Sequence, residues 1–256
     1  MFLKSWDNIG EKTINKIAEM AFKSQIRNAE HLRVQVKTDP QKLAQGVLES
    51  LDIDGSGLIM QKDLRLEKMK ITLNNIAVSP FKALMGNVQL TQPSTGNATI
   101  VLNEKDIESA LNIDNLNRQL QHYNIFRHDH PVKVKFFRVD CRILADGRIM
   151  IKAKLRILED NSIEQRHEVI ESVCLIIKPR ICTQGQNLLM DEVECTQGTQ
   201  FSPILIKAIL DESLKVLNLN RLSVDGISLK VNHVSTEDGK LSFLALAGIT
   251  HLPKIS

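Results

Sequence analysis

The stretch from Ser202 to Leu217 is the strongest constraint on the fold. Ser202-Pro203 opens a helix, with serine as N-cap and proline in the first helical position. Its polar residues form a narrow stripe, Lys207, Asp211 and Lys215, with Glu212 beside it. Nearly everything else is apolar: Ile204, Leu205, Ile206, Ala208, Ile209, Leu210, Leu214, Val216 and Leu217. A helix resting on one sheet face needs an apolar arc of roughly 100°. This one exceeds half its circumference, so it must be enclosed on several sides. The strand from Leu241 to Ile249 makes a similar demand, with Phe243 and Ala245 on one face and Leu244 and Leu246 on the other. Two-sided apolarity in an antiparallel strand implies that both faces are covered. A curved sheet wrapping a helix satisfies both observations. Such an arrangement either closes completely or leaves an apolar channel, and periodicity does not separate the two.

The remaining elements fit an α+β fold. Ile14, Ile17, Ala18, Ala21, Phe22, Ile26 and Ala29 recur at helical spacing over 11–29. Leu32, Val34 and Val36 alternate as a short strand, and Asp39-Pro40 opens a second helix expected to run to about Leu51. From Leu64 to Val78 the period is two, with two slips of phase that suggest bulges. Ser79-Pro80 starts a helical turn ending at Gly86. Strands near 87–91 and 97–102 follow, then a helix with Asn103 as N-cap and Glu104 and Asp106 in its first turn. The chain of 256 residues is read as one elongated domain, with the polar stretch 112–131 as an internal boundary.

The second half is rich in hairpins. Residues 132–144 and 148–158 flank Ala145-Asp146-Gly147. A three-residue loop with Gly147 left-handed pairs Ile143 with Ile149, Cys141 with Ile151, Val139 with Ala153 and Phe137 with Leu155. It also sets Asp140 opposite Lys152. The polar face then carries Arg138, Arg142, Lys152, Lys154 and Arg156, a basic stripe that reads either as a solvated sheet face or as a headgroup-binding patch. More strands run from 163 to 196, and a last hairpin, 222–234 with 240–250, turns at Asp238-Gly239.

Several function classes lose support. Net charge is +3 and aromatics are 4% of residues, without the clustered cations and stacking platforms of a nucleic-acid binder. No apolar run approaches the roughly 18 residues of a membrane span, and Met1 to Gly10 holds no signal-like apolar core. The expectation is a protein kept where it was made, cytoplasmic or peripherally membrane-bound. Cys141, Cys174, Cys182 and Cys195 lie in apolar strand-like runs and read as reduced, buried thiols. Asp52, Asp54, Ser56, Gly57, Ile59 and Asp63 match calcium-loop positions. The closing aspartate is too short for bidentate binding, and a strand-like segment follows instead of a helix. The other reading is a strand, Leu51 and Ile53, entering a Gly-Ser-Gly bend. His128 and His130 are too few for a metal site, and His167 to Glu171 lacks the second histidine of HExxH. No nucleophile can be paired with a base on this pattern, so the expectation is a non-enzyme without cofactor or metal.

Several phrases resemble the LmeA-like family of bacterial phospholipid-binding proteins, relatives of the tubular lipid-binding (TULIP) superfamily. They are Ala21 to Val36, Gln45-Gly46, Gly57 to Leu66, Leu84 to Pro93, Val101 to Leu111 and the closing segment Phe201 to Pro253. The resemblance implies a long curved antiparallel sheet wrapped around helices, with an apolar groove for acyl chains, and it brings no catalytic set. Ile17, Phe22, Leu205, Ile209 and Phe243 are the residues expected to line that groove. The expected function is non-catalytic binding or transfer of a phospholipid or other acyl lipid, with the membrane surface as a further partner and nucleic acid excluded. The alternative is a membrane- or partner-binding scaffold with a closed core, docking through the helix of 11–29.

Overall fold

The computed structural model describes residues 15–60, 64–80, 82, 89–111, 113–121, 124–127, 130–159, 167–181, 188–197, 203–217 and 225–252. In chain order the elements are α1 (15–23), β1 (Ile26–Asn28), β2 (His31–Lys37), α2 (Pro40–Ala44), β3 (Val47–Met60), β4 (Arg65–Ala77), β5 (Ser94–Asn103), α3 (Glu104–Ala110), α4 (Ile113–Leu120), β6 (Ile125–Arg127), β7 (His130–Ile143), β8 (Ile149–Glu159), β9 (His167–Ile181), β10 (Leu188–Gln197), α5 (Pro203–Leu217), β11 (Ile227–Glu237) and β12 (Lys240–Ile249). The fold is α+β, mostly antiparallel, and one sheet curls strongly into a half-barrel. Backbone contacts divide the chain into two compact units, 1–102 with 219–234 and 242–256, and 103–218 with 235–241.

In the first unit the strand order is β1-β3-β4-β5-β12-β11, with β2 also paired to β3. Ala18, Ala21 and Phe22 of α1 are buried among the core residues of this unit, and the Asn15 side chain accepts the Val36 N–H. The helix expected over 11–29 is shorter at its C-terminal end. After residue 23 the chain turns into β1, where Ile26 and Asn28 pair with Met60 and Ile59. The second helix is cut back more severely. Asp39 caps it as expected, accepting from the N–H groups of Gln41 at 2.8 Å and Lys42 at 3.3 Å. It ends at Ala44 because Gly46 takes φ +79° beside the Val78 carbonyl, where a Cβ would lie 2.6 Å from the oxygen. The residues up to Leu51, helical in spacing, instead begin β3, which pairs with β4 from Val47 to Ile59.

The two slips of phase in β4 are not net bulges. Its partner β3 slips at the same levels, and their register is constant from Val47↔Ala77 to Ile59↔Arg65. The ladder lacks a pair at Glu49/Asn75 and at Gly57/Glu67, where Asn75 and Gly57 have φ of 52° and 57°. One left-handed residue on each strand swaps the faces together. The inward set stays inward while the pair twists, which suits a curled sheet.

The second unit has the order β10-β9-β8-β7-β6. Phe136, Cys141, Ile151, Leu155, Leu175 and Ile177 are at most 1% exposed on its inner face. The hairpin register matches the three-residue expectation from Ile143↔Ile149 through Val139↔Ala153, with Asp140 opposite Lys152. It departs at one place: a bulge between Phe136 and Arg138 puts Phe136, not Phe137, opposite Leu155. Phe136 is fully buried, whereas Phe137 lies half-buried with the Arg156 guanidinium 5.2 Å from its ring centre.

Short β6 pairs with His130, Pro131 and Val132, and among the described residues most of that edge of β7 has no neighbouring strand. Side chains from α3 and α4 take its place. Glu108 accepts the Cys141 N–H at 2.8 Å and Glu104 accepts the Ile143 N–H at 2.9 Å. The Asn117 amide both accepts from the Phe136 N–H at 2.7 Å and donates to its carbonyl at 2.9 Å. Buried backbone polar groups are thereby satisfied and the edge is blunted. Asn103 caps α3 in a reciprocal box with Asp106, as its sequence position suggests. Within the polar stretch 112–131, α4 and β6 belong to this second unit.

Candidate functional site: an apolar groove beside the last helix

Three of the five expected lining residues belong to the first unit. Phe22 and Phe243 are fully buried and Ile17 is half-buried. Beside them the void among Ala18, Val36, Leu48, Leu51, Ile76, Leu90, Ile249 and Leu252 amounts to about 10 Å³. That is the space of a single water at most, against several hundred cubic ångströms for a small-molecule site. Beside α1 these side chains are therefore closely packed. The burial of Ala18, Ala21 and Phe22 at 0–1% also makes α1 part of the core and not a detachable docking helix.

The expectation that both faces of the closing strand are covered is overturned. Phe243, Ala245 and Ala247 of β12 are buried, but Leu244 and Leu246 are 45% and 41% exposed. The alternation normal to an antiparallel strand survives, with leucines on the outer side.

Leu205 and Ile209 belong to the second unit, where they are 0% and 1% exposed on the inward side of α5. Their neighbours on the helix open differently. Ile206, Leu210 and Leu214, with Pro203, line one wall of a groove of about 510 Å³. The opposite wall is β10, through Leu189, Met190 and Val193. Lys207, Asp211 and Asp191 are its polar residues. Size and lining suit an apolar ligand with one charged end.

Local sequence explains both walls. On α5, residues 206, 210 and 214 form an i, i+4, i+8 ridge next to the stripe of Lys207, Asp211 and Lys215, so apolar and charged edges meet along one line. The helix is held from its other side by Glu212, which is 1% exposed and accepts from the Asn115 and Gln119 amides of α4, each at 3.2 Å, while Lys215 pairs with it at 3.2 Å. β10 is the edge strand of its sheet. Glu192 has φ 52°, and the register shifts between Asp191 and Glu194. Such a bulge disrupts the edge as a template for another strand. Leu189 and Val193 remain 40% and 43% exposed there. Of the expected residues on α5, Leu205 and Ile209 do not line this groove, whereas the apolar row beside the polar stripe, Ile206, Leu210 and Leu214, does.

A second recess, of about 520 Å³, lies where α4, β6, β7 and β8 meet, lined by amides of Asn117, Gln121 and Asn124 together with Leu120, Ile125, Lys133 and Leu158.

The other sequence motifs resolve as structure. The calcium-like run is strand β3: Asp52 and Asp54 stand on one face, and Asp52 accepts from the Ser50 hydroxyl at 3.1 Å and the Thr72 hydroxyl at 2.9 Å. Gly55-Ser56-Gly57 continues the strand instead of bending away. Asp63, His128 and Cys182 lie outside the described residues, and His130 begins β7. His167 begins strand β9, as the pattern there suggests. Cys141 and Cys174 are buried free thiols, and Cys195 is half-buried. Burial, reinforced by Glu108 and Glu104, pushes the Cys141 thiol up to about 12, so it stays neutral at physiological pH. Among the described residues no helix is long and apolar enough to cross a membrane.

No curated protein and no solved structure gives a significant match to the chain. The profile of the LmeA-like phospholipid-binding family matches residues 7–245, nearly the whole sequence. The chain therefore belongs to the LmeA-like phospholipid-binding family.

Proposed function

We propose that the protein binds a phospholipid non-catalytically, with an acyl chain lying in the groove between α5 and β10. The observation that carries this reading is the groove itself, about 510 Å³ with aliphatic walls from Ile206, Leu210, Leu214, Leu189 and Val193, in a chain of a phospholipid-binding family. Burying an acyl chain against these walls removes apolar surface from water on both partners, at roughly 25 cal/mol per Å². Lys207 at the rim supplies a cation for a phosphate, and Leu205 and Ile209 support the groove from beneath. In this reading the protein works peripherally, exchanging lipid with a membrane surface.

Native mass spectrometry after gentle purification tests it. The wild type is expected to carry a phospholipid-sized adduct, and Leu210→Asp to lose it while keeping its fold. Wild-type protein that is repeatedly lipid-free and takes up no added phospholipid would overturn the reading. The packed core around α1 favours a second reading, a scaffold that holds no lipid, and the same lipid-free result would support it.

A further inference from the structure

We propose that the α5–β10 groove selects a phospholipid with a zwitterionic headgroup, its phosphate on Lys207 and its ammonium on Asp211. The inference rests on the groove reading above and names the class of lipid that this groove takes.

The charges on the two walls are not equally available. On β10 each carboxylate already meets a cation. Asp191, which lines the groove, is engaged by Arg180 of β9. Glu192 pairs with Lys178 at 3.3 Å, and Glu194 reaches Arg148, which Asp146 shares, at 3.6 Å. At the far end of the stripe on α5, Lys215 pairs with Glu212 at 3.2 Å. Lys207 and Asp211 are different. Both line the groove beside Ile206 and Leu210. They stand one helical turn apart, yet among the described residues they form no ion pair with each other. A lysine four residues before an acidic side chain is the weaker order for pairing on a helix. Little is therefore lost when each turns to a ligand instead.

This pair of opposite charges decides between headgroups. A headgroup whose only charge is its phosphate satisfies Lys207 but leaves the neighbouring Asp211 facing a like charge. Phosphoethanolamine and phosphocholine carry a phosphate and an ammonium joined by a two-carbon bridge. Side chains at i and i+4 have Cβ atoms about 5–6 Å apart, a span over which such a bridge sets one charge on each residue. Asp211 is half-buried and Lys207 exposed. The ammonium thus meets the partner less screened by water, and the phosphate meets a long side chain that can follow it.

Competition between two lipids with identical acyl chains tests the proposal. The full-length protein is incubated with vesicles of equal parts phosphatidylethanolamine and phosphatidylglycerol, the vesicles are removed, and native mass spectrometry reads the adducts. The wild type should carry phosphatidylethanolamine about 5-fold over phosphatidylglycerol, the worth of one rim ion pair, and the preference should shrink at high salt. Asp211→Lys should invert the ratio in favour of phosphatidylglycerol, and Lys207→Glu should weaken uptake of both lipids. Combining Lys207→Glu with Asp211→Lys should restore the preference for phosphatidylethanolamine, because the headgroup need only turn round; a merely structural role for these residues gives no such rescue. If Asp211→Lys fails to fold, Asp211→Asn should bring the two lipids to equal uptake. Equal uptake by the wild type, a wild-type preference for phosphatidylglycerol, or an unchanged ratio in a folded Asp211 variant would overturn the proposal. Uptake of neither lipid removes the groove reading and this proposal together, whereas uptake without headgroup preference removes this proposal alone.

Discussion

The two units each set an apolar helix against an antiparallel sheet, yet they end differently. Around α1, the walls contributed by β2, β3, β4 and β12 leave about 10 Å³. Along α5, the outward ridge and the edge strand β10 leave about 510 Å³. The amount of apolar surface does not decide the outcome. In the first unit Phe22 and Phe243 are fully buried and the neighbouring side chains leave almost no space. In the second, α5 is anchored by Glu212, and its remaining apolar ridge faces β10, the edge strand of its sheet among the described residues. A helix with more apolar circumference than its sheet can cover produces a groove where the sheet ends.

Removing bulk from the closed region should cost most. Phe243→Ala is expected to destabilise the protein by about 3–5 kcal/mol, by lost transfer energy plus cavity, as read from urea unfolding, without removing bound lipid. Lipid loss with an unchanged unfolding midpoint would reverse the assignment of the two regions. The next effect tests the anchor of α5. Glu212→Leu leaves the Asn115 and Gln119 amides without their acceptor and should cost about 1–3 kcal/mol, with lipid retention reduced because the helix loses its hold on α4.

A third comparison concerns the thiols. Cys141, with its pKa pushed up to about 12, should resist alkylation at neutral pH, while half-buried Cys195 reacts first. The sign follows from protonation. A raised thiol pKa means that the folded state keeps a proton the unfolded state releases from about pH 9, so this contribution is full below that pH and is lost as pH rises toward 12. Site-resolved mass mapping against pH checks the order of reaction. The smallest effect belongs to the outer leucines. Leu244→Ser and Leu246→Ser should each shift stability by less than about 0.5 kcal/mol, since 45% and 41% of their surface is already in water.

Short-range chemistry was the legible part of the sequence. Asp39, Asn103 and the Asp238-Gly239 turn act where their side chains and backbone preferences indicate, with Asp238 and Gly239 at φ 49° and 70° between β11 and β12. The register of the β7–β8 hairpin followed from sorting faces, up to a bulge between Phe136 and Arg138, where the apolar positions change from even (Val132, Val134, Phe136) to odd (Val139, Cys141, Ile143). Long-range pairing was not legible. Residues 47–51 keep helical spacing and still become strand, because β4 pairs with them, joined by β2 from Ser50, and supplies a ladder that local propensity cannot match. The paired slips at Gly57 and Asn75 cancel only when both strands are seen together. The apolar excess of α5 was legible, but which of its sides borders the groove was not. Leu205 and Ile209 sit one position from Ile206 and Leu210, about 100° around the axis, and only the placement of β10 decides which of them face the groove.

Photo-crosslinking tests the difference between the two regions most directly. A phospholipid with a diazirine in its acyl chain, loaded into the full-length protein and irradiated, should label peptides containing Leu189 to Val193 and Ile206 to Leu214. Labelling confined to peptides containing Phe22 and Phe243 would place the lipid in the region described here as closed, and would contradict the account.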